Sequence, residues 1–237
     1  MLNKERHSLI MGKILKDIYS DTSVAPLLGF KGGTCALFFY GLTRFSADLD
    51  FDSFSDNEST QKEIFKKVKG ILKKHGQIKD GYIKFNTIFF SLSYGQGDHN
   101  IKVEVSIRTL IPSIKDHYEL KEHLGISMFV AKKPYLFASK LAALTSRNLV
   151  AMRDIYDIWY FGDNNWDIDK EVLKIRTGKS IKEHMAECIA FIEQIKDNEI
   201  LRGLGELLEG EKQKVWIKNH LRKEAIFVLK NYMSAME

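Results

Sequence analysis

The chain has few of the residues that mark secreted, disulfide-bonded or membrane proteins. Its 237 residues include two cysteines, Cys35 and Cys188, in unrelated segments and without CxxC spacing, so neither a disulfide framework nor a cysteine-based zinc site is expected. No apolar run approaches the roughly 18 residues that a membrane helix needs, and the N-terminus lacks the apolar core of a signal peptide. We therefore expect a soluble, cytoplasmic protein with reduced, buried cysteines and no membrane partner.

Several standard nucleotide and metal motifs are also missing. The chain has no GxxxxGK[ST] P-loop and no GxGxxG dinucleotide fingerprint. An EF-hand loop beginning at Asp48 would need glycine at its sixth position and glutamate at its twelfth, where Ser53 and Ser59 stand. P-loop, dinucleotide-fingerprint and EF-hand chemistry are therefore not expected.

The chain carries a modest excess of positive charge. Its formal net charge is +5 and its pI is about 9.0, which weakly indicates polyanionic partners such as nucleotides or RNA. Two basic stripes of helical spacing occur, and solvated helix faces are the commoner explanation for each. They comprise Lys62, Lys66, Lys69 and Lys73, and Lys214, Lys218 and Arg222.

Hydrophobic periodicity predicts an N-terminal part with both strands and helices and a C-terminal part with helices alone. A composition shift near residue 130 divides the chain into residues 1–130 and 131–237. The predicted helices cover about 4–20, 34–41, 55–74, 134–147, 153–161, 179–197 and 211–233. The predicted strands cover about 27–31, 44–52, 77–85, 87–94 and 100–108.

Three aspartates alternate with apolar residues in the segment after Arg44. Successive side chains of a strand point to opposite faces, so Asp48, Asp50 and Asp52 share one face. Carboxylates about 6.7 Å apart repel each other unless cations lie between them. Because Mg²⁺ suits one or two carboxylates completed by substrate phosphates, the row predicts a Mg²⁺ site, with Mn²⁺ as the alternative ion. A charged edge strand is the other explanation, and Asp52, nearest the following loop, is expected to be exposed.

A glycine pair ends a short predicted strand upstream of these aspartates. Gly32 and Gly33 are followed by Thr34, which is expected to cap the next helix. A helix N-terminus presents backbone N–H groups and the positive end of the helix dipole, and both favour phosphate. Alone, such a pair is more often a tight turn.

The order of these elements resembles a known superfamily. A glycine-pair turn, a helix, an Asp-x-Asp strand and a later strand with a central acid, Glu104, are typical of the DNA polymerase β-like nucleotidyltransferases. Within that superfamily the chain resembles the AbiEii/AbiGii toxin family of type IV toxin–antitoxin and phage abortive-infection systems. The matching segments are Phe30–Thr34, Arg44–Phe51, Lys140–Arg147 and Arg153–Trp159. The resemblance implies an α+β fold, in which a small mixed sheet with flanking helices is followed by a helical domain that closes the active cleft.

The resemblance also implies roles for individual residues. Asp48, Asp50 and Glu104 would be catalytic metal ligands, with Glu104 as ligand or general base. Lys140 would bind the triphosphate, and Asp157, as a further catalytic residue, would orient Lys140 or the nucleotide. The remaining implied nucleotide-binding residues are Gly32, Gly33, Thr34, Arg44, Ser46, Arg147, Arg153 and Asp154.

Several of these candidates also have simpler explanations. Lys140 and Arg147 lie seven residues apart on one predicted helix face, and such a face is often only solvated. Arg153 and Asp157, at i and i+4, have the spacing of an intrahelical ion pair. Arg44 is also placed to pair with Asp48 in a turn.

The reaction implied by the resemblance is Mg²⁺-dependent transfer of a nucleoside monophosphate from an NTP, with release of pyrophosphate. The implied acceptor is the 3′ end of tRNA, and the implied protein partner is a cognate antitoxin. Two alternatives stay open at this point. One is transfer to a protein or a small molecule, and the other is a non-catalytic GTP- or RNA-binding protein that uses the same pocket without turnover.

Overall fold

A computed structural model of the protein describes residues 3–95, 97–108, 111–146 and 151–236. The chain forms two compact units. The first unit comprises the residues up to Gly41 together with Phe45–Lys132, and the second comprises Leu42–Arg44 together with the residues from Lys133 onward. The short segment Leu42–Arg44 thus belongs to the second unit although its neighbours in sequence belong to the first.

The first unit combines helices with a mixed sheet. Its helices are α1 (Lys4–Ser20), α2 (Gly32–Tyr40) and α3 (Glu58–Leu72). Its strands are β1 (Leu28–Lys31), β2 (Leu49–Ser53), β3 (Gln77–Lys84), β4 (Thr87–Ser93), β5 (Ile101–Ser106), β6 (Tyr118–His123) and β7 (Ile126–Ala131). Among the described residues these strands form one seven-stranded sheet in the order β3-β4-β5-β2-β1-β7-β6.

The centre of this sheet is parallel in part. Strand β2 runs parallel to β5 and antiparallel to β1, while β1 runs parallel to β7. One face of the sheet is apolar and buried, and α3 packs on it where the rings of Phe65 and Phe90 stack with centroids 4.9 Å apart. Along β4 and β5, buried residues alternate with less buried ones. The opposite face of these strands is therefore the more accessible one.

Polar caps define where two helices of the first unit begin. The Asn3 side chain accepts a hydrogen bond from the backbone N–H of Arg6 at the start of α1. Asn57 likewise accepts from the N–H groups of Ser59 and Thr60, so α3 begins at Glu58 and not at the predicted residue 55. Each cap satisfies N–H groups that the first helical turn leaves without a partner.

The second unit is helical in the part of the chain that the structure describes. Its helices are α4 (Lys133–Ser146), α5 (Met152–Asp163), α6 (Lys170–Thr177), α7 (Ile181–Glu193) and α8 (Gly210–Ser234). Its core contains stacked aromatic rings, with the centroids of Phe161 and Trp166 4.0 Å apart. Phe137 meets Phe161 edge-on at 5.8 Å.

The α+β fold class expected from the sequence is confirmed, and several local predictions are wrong. The hairpin of β6 and β7 and the short helix α6 were not predicted. Strand β2 begins at Leu49, so Arg44, Ser46 and Asp48 precede the strand. No helix among the described residues has both the length and the apolarity to cross a membrane.

Candidate active site

Two candidate acids lie side by side on neighbouring parallel strands. Asp50 on β2 is the register partner of Glu104 on β5. Register partners on adjacent strands, about 4.8 Å apart, direct their side chains to the same face of a sheet. Asp48 stands immediately before β2 with the same alternation, and all three acids are half-buried. The sheet therefore brings the candidate carboxylates to its more accessible face.

The first helical turn of α2 lies against one of these carboxylates. Gly32 begins the helix with φ +81°, and a Cβ built there would stand 2.3 Å from Oδ2 of Asp50. The residue before it, Lys31, has no side-chain acceptor and so cannot cap the helix. The N–H groups of this turn thus lie beside the aspartate, where an anion and a cation can be bound together.

Thr34 does not cap the helix, contrary to expectation, because α2 already begins at Gly32. Its side chain is fully buried, and its hydroxyl donates to the backbone carbonyl of Asp48. The hydroxyl therefore ties the start of β2 to α2, and fixes the backbone of the first candidate acid.

Asp52 was expected to be exposed, and this expectation is wrong. Its side chain is buried, and its carboxylate oxygens lie 2.6 Å from the Lys31 ammonium and 2.6 Å from the Tyr118 hydroxyl, which donates to it. Asp52 shares the strand alternation of Asp50. Its carboxylate is nevertheless occupied by an internal ion pair and hydrogen bond.

The second unit contains a buried cluster of four charged residues, which we call the ionic cluster. Nε and Nη2 of Arg44 donate to the two carboxylate oxygens of Asp157, at 2.6 and 2.7 Å. Nζ of Lys140 lies 2.8 Å from Asp157 and 2.8 Å from Asp154. Arg44 and Asp157 are almost completely buried, whereas the Lys140 side chain is 14% exposed. Two cations are therefore balanced by two carboxylates inside this unit.

Within the ionic cluster, oppositely charged neighbours keep Lys140 and Asp157 charged. Burial pushes the pKa of Asp157 upward, but Arg44 and Lys140 more than offset this and hold the pKa below its usual value. Burial likewise would lower the pKa of Lys140, and the carboxylates of Asp154 and Asp157 raise it above its usual value. Ionic partners thus outweigh desolvation at both groups.

The charge, fold and acid arrangement described above agree with one protein family. The family model described as nucleotidyl transferase AbiEii toxin, type IV TA system, matches residues 13–225. The chain belongs to this family. It is therefore an AbiEii nucleotidyltransferase, for which membership implies an NTP substrate and an antitoxin partner, and the sequence resemblance is confirmed.

Two solved structures resemble this AbiEii protein over most of their lengths. JHP933 from Helicobacter pylori is 18% identical, with a TM-score of 0.61 over 100% of this chain and 95% of that one. MenT4, the nucleotidyltransferase toxin Rv2826c from Mycobacterium tuberculosis H37Rv, is 17% identical, with a TM-score of 0.53 over 95% and 83% of the two chains. At these identities the likeness shows a shared nucleotidyltransferase fold. None of the curated proteins matches the chain.

The structure also locates the remaining sequence-predicted residues of the AbiEii protein. Arg44 lies outside strand β2, which begins at Leu49, and its guanidinium pairs with Asp157 of the second unit. Ser46 is 8% exposed, and Arg153 is half-buried on α5. Arg147 lies outside the described residues. The carboxylate oxygens of Asp157, for which an ion pair with Arg153 was the simpler explanation, contact Arg44 and Lys140.

No group of three or more His, Cys, Asp or Glu side chains in the described parts of the chain forms a ready metal site. Two neighbouring carboxylates completed by phosphate oxygens are nevertheless a normal Mg²⁺ environment. The absence of a side chain at Gly32 lets the first turn of α2 approach the Asp50 carboxylate closely, since a Cβ there would stand 2.3 Å from Oδ2. The assignment of Asp48, Asp50 and Glu104 as metal ligands stays a prediction.

One positioning residue was missed by the sequence analysis. His7 on α1 is buried, with Nδ1 2.7 Å from the Tyr94 hydroxyl and Nε2 2.9 Å from the carbonyl of Ala47. Burial is the main cause that lowers its pKa, so Nε2 carries the proton and donates to Ala47. His7 thereby fixes the backbone next to Asp48. A lone histidine on an amphipathic helix gives no hint of partners 40 and 87 residues away.

Proposed function

We propose that this AbiEii nucleotidyltransferase transfers a nucleoside monophosphate from an NTP to the 3′ end of tRNA in the cytoplasm, in a Mg²⁺-dependent reaction. One arrangement carries the proposal: Asp50 and Glu104 are neighbours on one face of the sheet, and the first turn of α2 lies against Asp50. The backbone N–H groups of the turn can bind phosphate, and the adjacent carboxylates can bind the metal ion of a metal-bound triphosphate.

The triphosphate is proposed to bind with its terminal phosphates at the N–H groups of Gly33 and Thr34, at the positive end of α2. Asp48 and Asp50 would hold Mg²⁺ against the phosphate oxygens, with Glu104 as a further ligand. When bound, Mg²⁺ supplies stabilisation of the negative charge that develops on the attacking and leaving oxygens.

The attacking group is proposed to be a hydroxyl of the acceptor, placed next to Glu104. Its oxygen forms a bond to the α-phosphorus while the bond between that phosphorus and the bridging oxygen breaks, and pyrophosphate leaves. The hydroxyl proton passes to the Glu104 carboxylate or to solvent. A half-buried acid in register with Asp50 has the right chemistry for this step.

Within the second unit, the ionic cluster fixes the Lys140 ammonium between Asp154 and Asp157. The Lys140 side chain keeps a small exposed fraction, whereas Arg44 and Asp157 are almost completely buried. Arg44 is proposed to act through Asp157, as a positioning residue. A contact of Lys140 or Arg44 with phosphate stays a prediction.

A tRNA acceptor fits the charge of the protein. The net charge of +5 favours a polyanion. The basic stripe of Lys62, Lys66, Lys69 and Lys73, here called the α3 stripe, remains largely exposed at Lys62, Lys66 and Lys73. A protein or small-molecule acceptor has no comparable observation in its favour and enters as an outcome of the test.

The test is to incubate the protein with Mg²⁺, each α-³²P-labelled NTP in turn, and either total RNA or total protein. We expect label in a tRNA-sized band with at least one NTP and none when EDTA removes the metal. The rate of transfer should fall at least about 100-fold in Asp50→Asn. The matched control Asp56→Asn, at an exposed position, should keep the rate of the wild type. Label in protein or in small molecules would replace the tRNA assignment.

A further inference from the structure

The row of candidate acids continues across the sheet into a pair of aromatic residues. Glu104 on β5 is the register partner of Phe89 on β4, and Phe89 is the register partner of Tyr82 on β3. Together with Asp50, these side chains lie in one line on one face. With strands about 4.8 Å apart, Phe89 lies one strand beyond Glu104 and Tyr82 two.

The two rings stack on each other, and other residues cover the pair only partly. Their centroids are 5.0 Å apart with an interplanar angle of 23°, and both residues are half-buried. The exposed Lys84 extends over the Tyr82 ring, with its Nζ atom 5.5 Å from the ring centroid, so a stacking base would displace this flexible side chain toward its phosphate. Aromatic surface with a nearby cation is the combination that binds single-stranded nucleic acid, because every base has a stacking face and every nucleotide a phosphate.

The in-line geometry of the proposed reaction places the acceptor, and not the triphosphate, on the side of the sheet that carries Phe89 and Tyr82. In-line displacement puts the attacking oxygen and the leaving pyrophosphate on opposite sides of the α-phosphorus. The α2 turn lies on the β1 side of Asp50, and Glu104, Phe89 and Tyr82 lie on the other. If the phosphates occupy the turn, the attacking hydroxyl approaches from the aromatic side.

We propose that Tyr82 and Phe89 form the stacking platform for a nucleobase at the 3′ end of the acceptor RNA. This inference deepens the proposed function and depends on it for the identity of the acceptor. The platform holds the terminal sugar beside Glu104, while Lys84 contacts a backbone phosphate. A purely structural cross-strand pair would instead stabilise the hairpin and leave acceptor binding unchanged.

The first measurement uses the steady-state kinetics of Tyr82→Leu and Phe89→Leu. Loss of one stacked base raises the KM for tRNA roughly 5- to 150-fold, while the KM for the NTP stays unchanged. Tyr82→Phe keeps the ring and serves as the matched control, with a KM close to that of the wild type. A changed melting temperature with an unchanged KM for tRNA, or a raised KM for the NTP alone, would overturn the platform.

The second measurement needs no turnover. A tRNA acceptor-stem minihelix with 2-aminopurine at its 3′-terminal position is titrated with the full-length protein, and stacking on the platform quenches its fluorescence. Quenching is expected with the wild type and Tyr82→Phe and is expected to be lost in Tyr82→Leu. If the wild type labels no RNA, the proposed acceptor is wrong, yet the quenching still decides the platform. Absent quenching in the wild type, or quenching that persists in Tyr82→Leu, rejects it.

Discussion

Gly32 is required by both the backbone and its neighbour. Its φ of +81° disfavours any side chain, and a Cβ would meet Oδ2 of Asp50 at 2.3 Å. We expect Gly32→Ala to lower the free energy of unfolding by about 1–2 kcal/mol and the rate of nucleotide transfer at least about 100-fold, because the Asp50 carboxylate must move. Urea unfolding and the labelling assay measure the two effects separately.

Gly178 provides the matched control for this substitution. It has φ +71°, and a Cβ there would have nothing within 4 Å. Gly178→Ala should therefore show a similar loss of stability and nearly normal activity. Equal activities of the two alanine variants would show that the close approach to Asp50 does not matter for catalysis.

The ionic cluster predicts a large stability effect from a single buried charge. In Asp157→Asn the Arg44 guanidinium and Lys140 ammonium lose their shared carboxylate. Leaving a buried charge uncompensated costs about 3–5 kcal/mol of unfolding free energy, measurable by urea denaturation. The double variant Arg44→Met with Asp157→Leu removes both charges and should lose much less. A double variant as unstable as Asp157→Asn would contradict this account.

The lowered pKa of Asp157 also predicts a pH dependence of stability. The carboxylate binds its proton less readily in the folded protein than in the unfolded chain, whose aspartates have a pKa of about 3.9. Its stabilising contribution is therefore complete above that value and is lost as the pH falls toward the folded pKa. Urea midpoints at several pH values from 7 to 3 should fall more steeply for the wild type than for Asp157→Asn.

Which residues share a face followed from the sequence, but how deeply each of them is buried did not. The alternation of Asp48, Asp50 and Asp52 was recognised correctly. Their separation into half-buried acids and a buried ion pair depends on Lys31 and Tyr118, and Tyr118 lies 66 residues from Asp52. The partner of Arg44 lies 113 residues away. Pairs at such distances leave no local pattern.

At the scale of the element, strand β2 carries two aspartates with opposite roles. Asp52→Asn weakens the contacts to Lys31 and Tyr118, and we expect a loss of about 1–3 kcal/mol in unfolding free energy with transfer activity retained below the melting transition. Asp50→Asn should show the reverse, with activity lost and stability little changed. Thermal melts and the labelling assay on both variants decide the assignment; an inactive but stable Asp52→Asn protein would contradict it.

The missed elements are those whose pattern is weak for physical reasons. Strand β6 forms an edge of the sheet, and its Leu120 is 64% exposed, so apolar residues along it do not mark a buried face. Helix α6 has eight residues and buries only Val172 and Leu173, too few for helical periodicity to be recognised. In contrast, α1 and α3 bury four or more residues each at helical spacing, and both were predicted.

Across the whole molecule, the two basic stripes differ in whether their side chains are engaged in contacts within the protein. In the α3 stripe, Lys69 and Lys73 line a surface groove of about 800 Å³ together with Lys79. The second stripe, here called the α8 stripe, comprises Lys214, Lys218 and Arg222. Its Arg222 pairs with Asp197 at 3.0 Å and donates to the carbonyl of Ile195 at 2.9 Å. The α3 stripe is therefore the better candidate for RNA phosphates, since Arg222 already serves the packing of its own unit.

This difference predicts how the affinity for tRNA responds to salt. Binding of a polyanion weakens linearly in a plot of log affinity against log salt concentration, with a slope that falls by about 0.7–0.9 for each phosphate contact removed. Lys69→Gln with Lys73→Gln should lower the slope by about 1.5, whereas Arg222→Gln should reduce stability and leave the slope unchanged. Slopes measured by titrating labelled tRNA between 50 and 300 mM KCl test this. An unaltered slope in the lysine variant would remove α3 from the RNA-binding surface and leave its lysines as a solvated helix face.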